Sequence, residues 1–526
     1  MKSRRPVLIK SGFATLAVGI VFASLFYLSA AINAPNSGEN YGFFLQQTVC
    51  ANGSSPLCRS TNEGIYEIPE VIERWGCAGK YSTKIECNAK STDKWIAAST
   101  FEDSRMGRLV YKLNSFAFKD DLAVGLQKLM LINALFASLV ICATFFLVPK
   151  KSKAAFIVAM TSAALIPENL FHIASIAPIG ITKVCVISAL VISYELINDR
   201  VDSEKVIVSY IYLVFLSINI GIRRIDQMAI LGLAVGGLAL FPLYRSIRNH
   251  GLSKIKSKFL VEVFRVFGVI ATSIPGVYLT LQNDEGGKTV AGLAGVVSGG
   301  AGVVSGGAGV VSGGAGVVSG GAGVVSGGAG VVSGLLRNIY EVAVLPGYFI
   351  QDIGPDFWGL HNIARYSLSV PTALLFVILI AKTWRPVMEH KSTLISVMSI
   401  LGIYFALAWY GTVIGPRLEF RYVMGMYVFC IYAVVSCISS SRTKRLLFNN
   451  LILGLVLLVH TIGLIAHTDF SGSIYLLGSA YPAVFVSGTF LFTLVATVLI
   501  LNSNYSKQVL NNVKIGTLQE STTVKN

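Results

Sequence analysis

Charge is scarce in this chain of 526 residues: Asp, Glu, Lys and Arg together make up 13% of it. A soluble protein of ordinary composition carries roughly a quarter of its residues as these four types. Half that density cannot cover a water-exposed surface, so an ordinary cytosolic enzyme is excluded. An apolar share of 53% excludes a disordered chain, and eight cysteines over this length exclude a small disulfide-built scaffold. Acid is the scarcer sign, with 27 Asp and Glu against 43 Lys and Arg, a net charge of +16. What the chain has in excess is apolar length, with a mean hydropathy of +0.66.

A span needs about 20 mainly apolar residues to cross a hydrocarbon layer of roughly 30 Å. Twelve windows come close: 12–32, 124–148, 155–174, 179–197, 206–222, 227–243, 259–281, 366–382, 393–413, 423–439, 448–467 and 482–501. The expected fold class is an all-α polytopic membrane protein of about twelve transmembrane helices. Lys and Arg concentrate on the cytoplasmic side of short loops. With both termini inside, the inner segments carry Lys2, Arg4, Arg5 and Lys10; Lys150, Lys151 and Lys153; Arg245, Arg248, Lys254, Lys256 and Lys258; Lys382, Arg385 and Lys391; and Arg442, Lys444 and Arg445. Much of the basic excess is then an orientation signal, and no nucleic-acid partner is expected.

Six segments follow: 1–34, a first transmembrane helix read as a signal anchor; 35–122, an extracytoplasmic loop; 123–282, helices two to seven; 283–365, a second long outside loop; 366–501, helices eight to twelve; and 502–526, a cytoplasmic tail. The first apolar run exceeds the roughly 7–15 residues of a cleaved signal, although Ala31-Ile32-Asn33-Ala34 resembles a cleavage site.

The first outside loop holds Cys50, Cys58, Cys77 and Cys87, a cluster that points to disulfides in an oxidising compartment. Three connectivities exist, and two local loops, Cys50 with Cys58 and Cys77 with Cys87, are the simplest. Zinc is the competing reading, disfavoured because neither pair has the CxxC spacing and the loop lacks His. In the second outside loop, Ala-Gly-Val-Val-Ser-Gly-Gly repeats six times from Ala294 to Gly334, the last copy one Gly short. Three glycines per unit, each costing a helix about 1 kcal/mol relative to Ala, reject a coiled coil. A single membrane crossing there would invert every later loop against the charge rule. The tract reads as a tolerated outside insertion.

Ionisable residues kept near hydrocarbon mark function, and several groups fall on the outer boundary of this topology. Glu39, beyond the first span, is a candidate general base or a metal-holding acid, against a solvated loop acid. Glu168 and His172, four apart and so on one helix face, are candidate substrate contacts, against a structural pair. Arg223 and Arg224 in one short turn, and Arg417 and Arg421 in another, oppose the orientation rule. An anionic partner would explain them, since Arg presents a fork suited to phosphate oxygens; Asp226 and Glu419 offer local ion pairs instead. Asp352, Asp356 and His361 lie in an aromatic and Gly-rich segment read as interfacial, from which they could reach a substrate. Pro275 and Gly276 could break one span.

The order of these features resembles the GT-C superfamily of polytopic glycosyltransferases, and more closely a bacterial membrane family of unknown function regarded as GT-C-like. The segment Pro35 to Tyr41 occupies the place of that family's acidic motif after the first span. The stretch Ile166 to Pro178 is similar to its Pro-containing span end, Ile350 to Pro371 to its amphipathic segment, and Gly415 to Met424 to its Gly-Arg-Tyr-Pro element, with Arg421-Tyr422 in register. The resemblance implies transfer of a sugar from a polyprenyl-phosphate carrier to a cell-envelope glycan or lipopolysaccharide acceptor, on the periplasmic face of a bacterial inner membrane. Glu39 is then the base, and Arg223, Arg224, Arg417 and Arg421 are phosphate contacts. No nucleotide cofactor is expected, and a divalent metal is an open option. The rival readings are a lipid-linked glycan transporter or flippase and a non-catalytic scaffold of envelope glycan assembly.

Overall fold

The computed structural model describes residues 15–27, 48–50, 57–60, 66–69, 95–97, 105–118, 122–164, 173–174, 178–223, 227–228, 230–239, 257–281, 393–400, 402–403 and 420–439. These comprise helices α1 (Thr15–Tyr27), α2 (Arg105–Ser115), α3 (Leu122–Leu147), α4 (Lys153–Ala164), α5 (Pro178–Ile197), α6 (Val206–Arg223), α7 (Ile230–Ala239), α8 (Ser257–Ala271), α9 (Ile274–Leu281), α10 (393–400) and α11 (Phe420–Ser439). Strands β1 (Arg59–Ser60), β2 (Tyr66–Pro69) and β3 (Trp95–Ala97) form a small antiparallel sheet in that order. Arg59 pairs with Glu67, and Ile68 with Ile96.

Among the described residues, four stretches are long and apolar enough to cross a membrane: Val124–Leu147, Gly180–Ile197, Ser203–Arg223 and Leu260–Leu279. The central one is α5. Its sequence is apolar on every side, which buries a helix all round, and the whole of Gly180–Ile197 lies inside the bundle against 22% of Leu260–Leu279. Helices α3, α6, α8 and α11 pack around α5, while α4 packs against α11 and α3. The outer faces are apolar: Leu131, Ile132, Leu135 and Leu139 on α3, Ile207, Ile211 and Phe215 on α6, Phe264 and Phe267 on α8. Ser138, Thr144, Ser188, Ser193 and Glu195 point inward. Apolar outside and polar within is the arrangement that hydrocarbon selects and water penalises, and it marks a helical membrane protein.

Between spans, hydroxyls supply what the hydrophobic effect cannot supply in lipid. Ser138 Oγ donates to Gly19 O of α1 at 2.6 Å, and Tyr212 Oη donates to Val140 O at 2.7 Å, joining α6 to α3. The 259–281 window is not one helix. It breaks at Thr272 and Ser273, because Pro275 has no N–H to continue the ladder. Ser217 of α6 mends the break: its Oγ donates to Ser273 O at 3.1 Å and accepts from Gly276 N–H at 3.1 Å.

Cys50 and Cys58 form a disulfide that ties a helical turn to the start of β1. Arg59 stacks on Trp95 of β3, 3.7 Å from the ring centre. Cys77 and Cys87 lie outside the described residues.

Candidate functional site

Chain direction and contacts sort the polar groups to two ends of the bundle. One end gathers the connections 148–152 and 198–205, together with Thr393 and Ser436; the other holds the start of α5 and the ends of α6 and α9.

At the first end the geometry starts from how α5 stops. Arg200 N–H donates to Glu195 O at 2.9 Å and Asp199 N–H to Leu196 O at 3.1 Å, while Asp199 takes a left-handed φ of 56°. This is the Schellman closure, in which one left-handed residue lets the following N–H groups satisfy the last carbonyls. It turns Arg200 back over α5, its guanidinium 5.1 Å from the Tyr194 ring centre and its Nη1 donating to Tyr194 Oη at 3.3 Å. Asp199 meets Arg265 of α8 at 2.8 Å, and Lys205 meets Asp202 at 3.2 Å.

Beneath this layer sits a fully buried cluster. Tyr432 Oη of α11 donates to Glu195 Oε1 at 2.5 Å, the short contact expected of a charge-assisted O–H···O bond. Tyr194 Oη pairs with Thr393 Oγ1 at 2.6 Å, and Ser152 Oγ with Ser436 Oγ at 3.3 Å. The Tyr194 ring packs edge-on against Phe429 and Tyr432. Glu195 Oε2 is buried and, among the described residues, has no direct hydrogen-bond partner. One carboxylate thus joins the central helix to α11.

The opposite end differs. Arg223, expected in a short turn, is instead the last residue of α6, and Gly221 and Ile222 are helical too. A cation there complements the negative end of the helix dipole. The Arg223 guanidinium lies 5.7 Å from the Phe136 ring centre and near Cys185, and among the described residues it has no carboxylate partner. Lys183 and Gln227, both buried, belong to this same end of the bundle. Lys183 interrupts an apolar run, a signal that the expected sites overlooked.

Of the other expected residues, Arg421 lies in the first turn of α11 rather than in a loop. Glu39, Glu168, His172, Arg224, Arg417, Asp352, Asp356 and His361 lie outside the described residues, as does the 294–334 repeat. Among the described residues no three His, Cys, Asp or Glu side chains gather in a way that could hold a metal ion. No family model, curated protein or solved structure matches the chain.

Proposed function

We propose that this chain is a GT-C-type glycosyltransferase of a bacterial inner membrane, with twelve spans and both termini cytoplasmic. It transfers a sugar from a polyprenyl phosphate to an envelope glycan or lipopolysaccharide acceptor at the outer boundary of the bilayer. The observation that carries this reading is Arg223: a guanidinium at a span end, steadied over Phe136, with no acid to neutralise it among the described residues. A phosphate oxygen is the partner that the fork of an Arg fits best.

The chemistry needs three things from the chain. Cations hold the departing lipid phosphate and stabilise the charge it gains as the glycosidic bond breaks. Arg223 takes that role, and Arg224, Arg417 and Arg421 are the further cations proposed for it. A carboxylate, Glu39, removes the proton from the acceptor hydroxyl as it attacks. Glu168, His172, Asp352, Asp356 and His361 are the proposed substrate contacts. Energy comes from the carrier phosphate, so no nucleotide takes part.

Mass spectrometry of envelope glycans from cells with and without the protein tests this. Loss of one sugar substituent in the null strain, reproduced by Arg223→Ala and Arg421→Ala variants that accumulate normally, is the expected result. Unchanged glycans in both would overturn it. Labelling of the periplasmic face separates the flippase alternative: a transferase defect leaves the acceptor exported and undecorated, whereas a flippase defect strands the substrate inside.

A further inference from the structure

The buried carboxylate of Glu195 has no part in the transfer chemistry above, and its surroundings ask for a positive ligand. It stands in the last turn of α5, at the negative end of the helix dipole, where an acid is disfavoured. The last turns of α3 and α11 come to the same end, as the Lys205 bond to Phe146 O and the Ser152 bond to Ser436 show. Three helix C-termini and a carboxylate therefore concentrate negative potential in a dry interior, where it is screened least. Tyr432 donates to Oε1, and among the described residues Oε2 has no direct hydrogen-bond partner.

We propose that Glu195 is a proton-binding site, loaded at Oε2 from the end of the bundle that carries the 149–153 and 198–205 connections. A proton from water adds to Oε2 and turns the carboxylate into a neutral carboxyl; no other bond is made or broken. Ser152 stands beside the carboxyl without a direct bond to Oε2; its hydroxyl, now turned as a donor toward the carboxylate, can rotate to accept the new O–H. Unloaded, Glu195 joins α5 to α11 through Tyr432; loaded, it also clasps the turn that enters α4. The site therefore couples proton occupancy to the packing of three elements.

A proton suits the site better than a metal ion. The neighbouring hydroxyls are already paired, Tyr194 with Thr393 and Ser152 with Ser436, so a full oxygen shell is not assembled among the described residues. The charged and titratable groups around the carboxyl are likewise engaged. Arg200 lies on Tyr194, Arg265 holds Asp199, Lys205 holds Asp202 and the Phe146 carbonyl, and Lys153 sits over the Phe145 ring. Tyr432 and Tyr194 are the titratable groups in the cluster itself.

Infrared difference spectra of the full-length protein in lipid nanodiscs, taken across a pH titration, test the assignment. The wild type is expected to show a protonated-carboxyl band that rises as pH falls and is missing from Glu195→Gln, which keeps the size and the acceptor for Tyr432. Tyr432→Phe should keep the band and move its midpoint by about one to two pH units, because a hydrogen bond to a charged group is worth about 1.5–3 kcal/mol and one unit is 1.36 kcal/mol. Identical spectra for wild type and Glu195→Gln overturn the proposal. Should Glu195→Gln fail to accumulate, an unmoved midpoint in Tyr432→Phe does the same. Replacing sodium by choline at constant pH should leave the melting temperature of the wild type unchanged; a sodium-dependent rise that Glu195→Gln loses would overturn the proton in favour of a metal ion.

Discussion

The two ends of the bundle hold their helices together in different ways. At the Glu195 end the contacts are made by side chains: Tyr432 on Glu195, Tyr194 on Thr393, Ser152 on Ser436. At the Arg223 end the backbones themselves meet, because Gly221 of α6 and Gly276 of α9 let the two helices approach with no Cβ between them, and the Ser217 hydroxyl bridges the contact. Both answer the same difficulty, that lipid gives helices no hydrophobic reason to associate. They differ in what remains for other partners. Side-chain clasps use up the polar groups that form them, apart from one oxygen of Glu195, whereas a glycine contact leaves Arg223 available.

Breaking the glycine contact should have the largest effect on stability. A Cβ on Gly276 would run into the Ser217 carbonyl and hydroxyl, and neither the backbone nor the bridging hydroxyl can turn aside without reopening the Pro275 break. Gly276→Val is expected to lose about 3 kcal/mol, the upper part of the range for overpacking. It should appear as a lower melting temperature in detergent; a variant as stable as the parent would show that the helices are not in close contact there. Next comes the clasp at the other end. Tyr432→Phe keeps the ring packing on Tyr194 and removes only the donor to Glu195, so a loss of about 2 kcal/mol is expected for a hydrogen bond to a charged group. Arg223→Ala should cost only about 0.5 kcal/mol, for a ring contact and a helix-end charge, yet remove glycan modification. A large drop in melting temperature would instead make Arg223 a structural residue and blur the contrast between the ends.

The apolar runs made α3, α5 and α6 legible within two residues of their windows, since in a lipid-facing bundle length and hydropathy are the physical determinants. The break near Pro275 was legible for the same kind of local reason. The shortness of the Cys50 to Cys58 loop pointed to its pairing. What sequence reading did not supply was anything made across the chain. Glu195 and Tyr432 are 237 positions apart, and the acid alone reads as a span-end charge. Ser217 looks like any span serine until the break it repairs is seen. The sheet of β1, β2 and β3 is too short for its alternation to register, with strands of two to four residues. Arg223 stands out in the sequence as a cation against the orientation rule, but its position reads as a turn, whereas helix α6 extends through it, because an arginine in a last turn is favoured by the dipole.

Charge at the Glu195 end also sharpens the comparison, and here the expected effect is smallest. Lys153 opens α4 ahead of its apolar stretch, over the Phe145 ring. Burial, and after it the like charges of Lys205 and Lys150, lower its ammonium from the usual 10.5 to about 8, with Asp202 opposing. The unfolded chain then binds more protons than the folded one between about pH 8 and 10.5, so stability rises with pH across that window. Below it, the folded protein carries the full penalty of holding this charge. Lys153→Met should therefore be the more stable protein at pH 7, by a few tenths of a kcal/mol, roughly the scale of a partly exposed charge. The advantage should fade as the parent deprotonates, and melting temperatures of the two proteins at pH 7 and above pH 10 would reveal it. A Lys153→Met variant less stable than its parent at neutral pH would mean that the ammonium is an attractive member of this end. The side-chain clasp would then extend to the membrane surface instead of closing at Ser152.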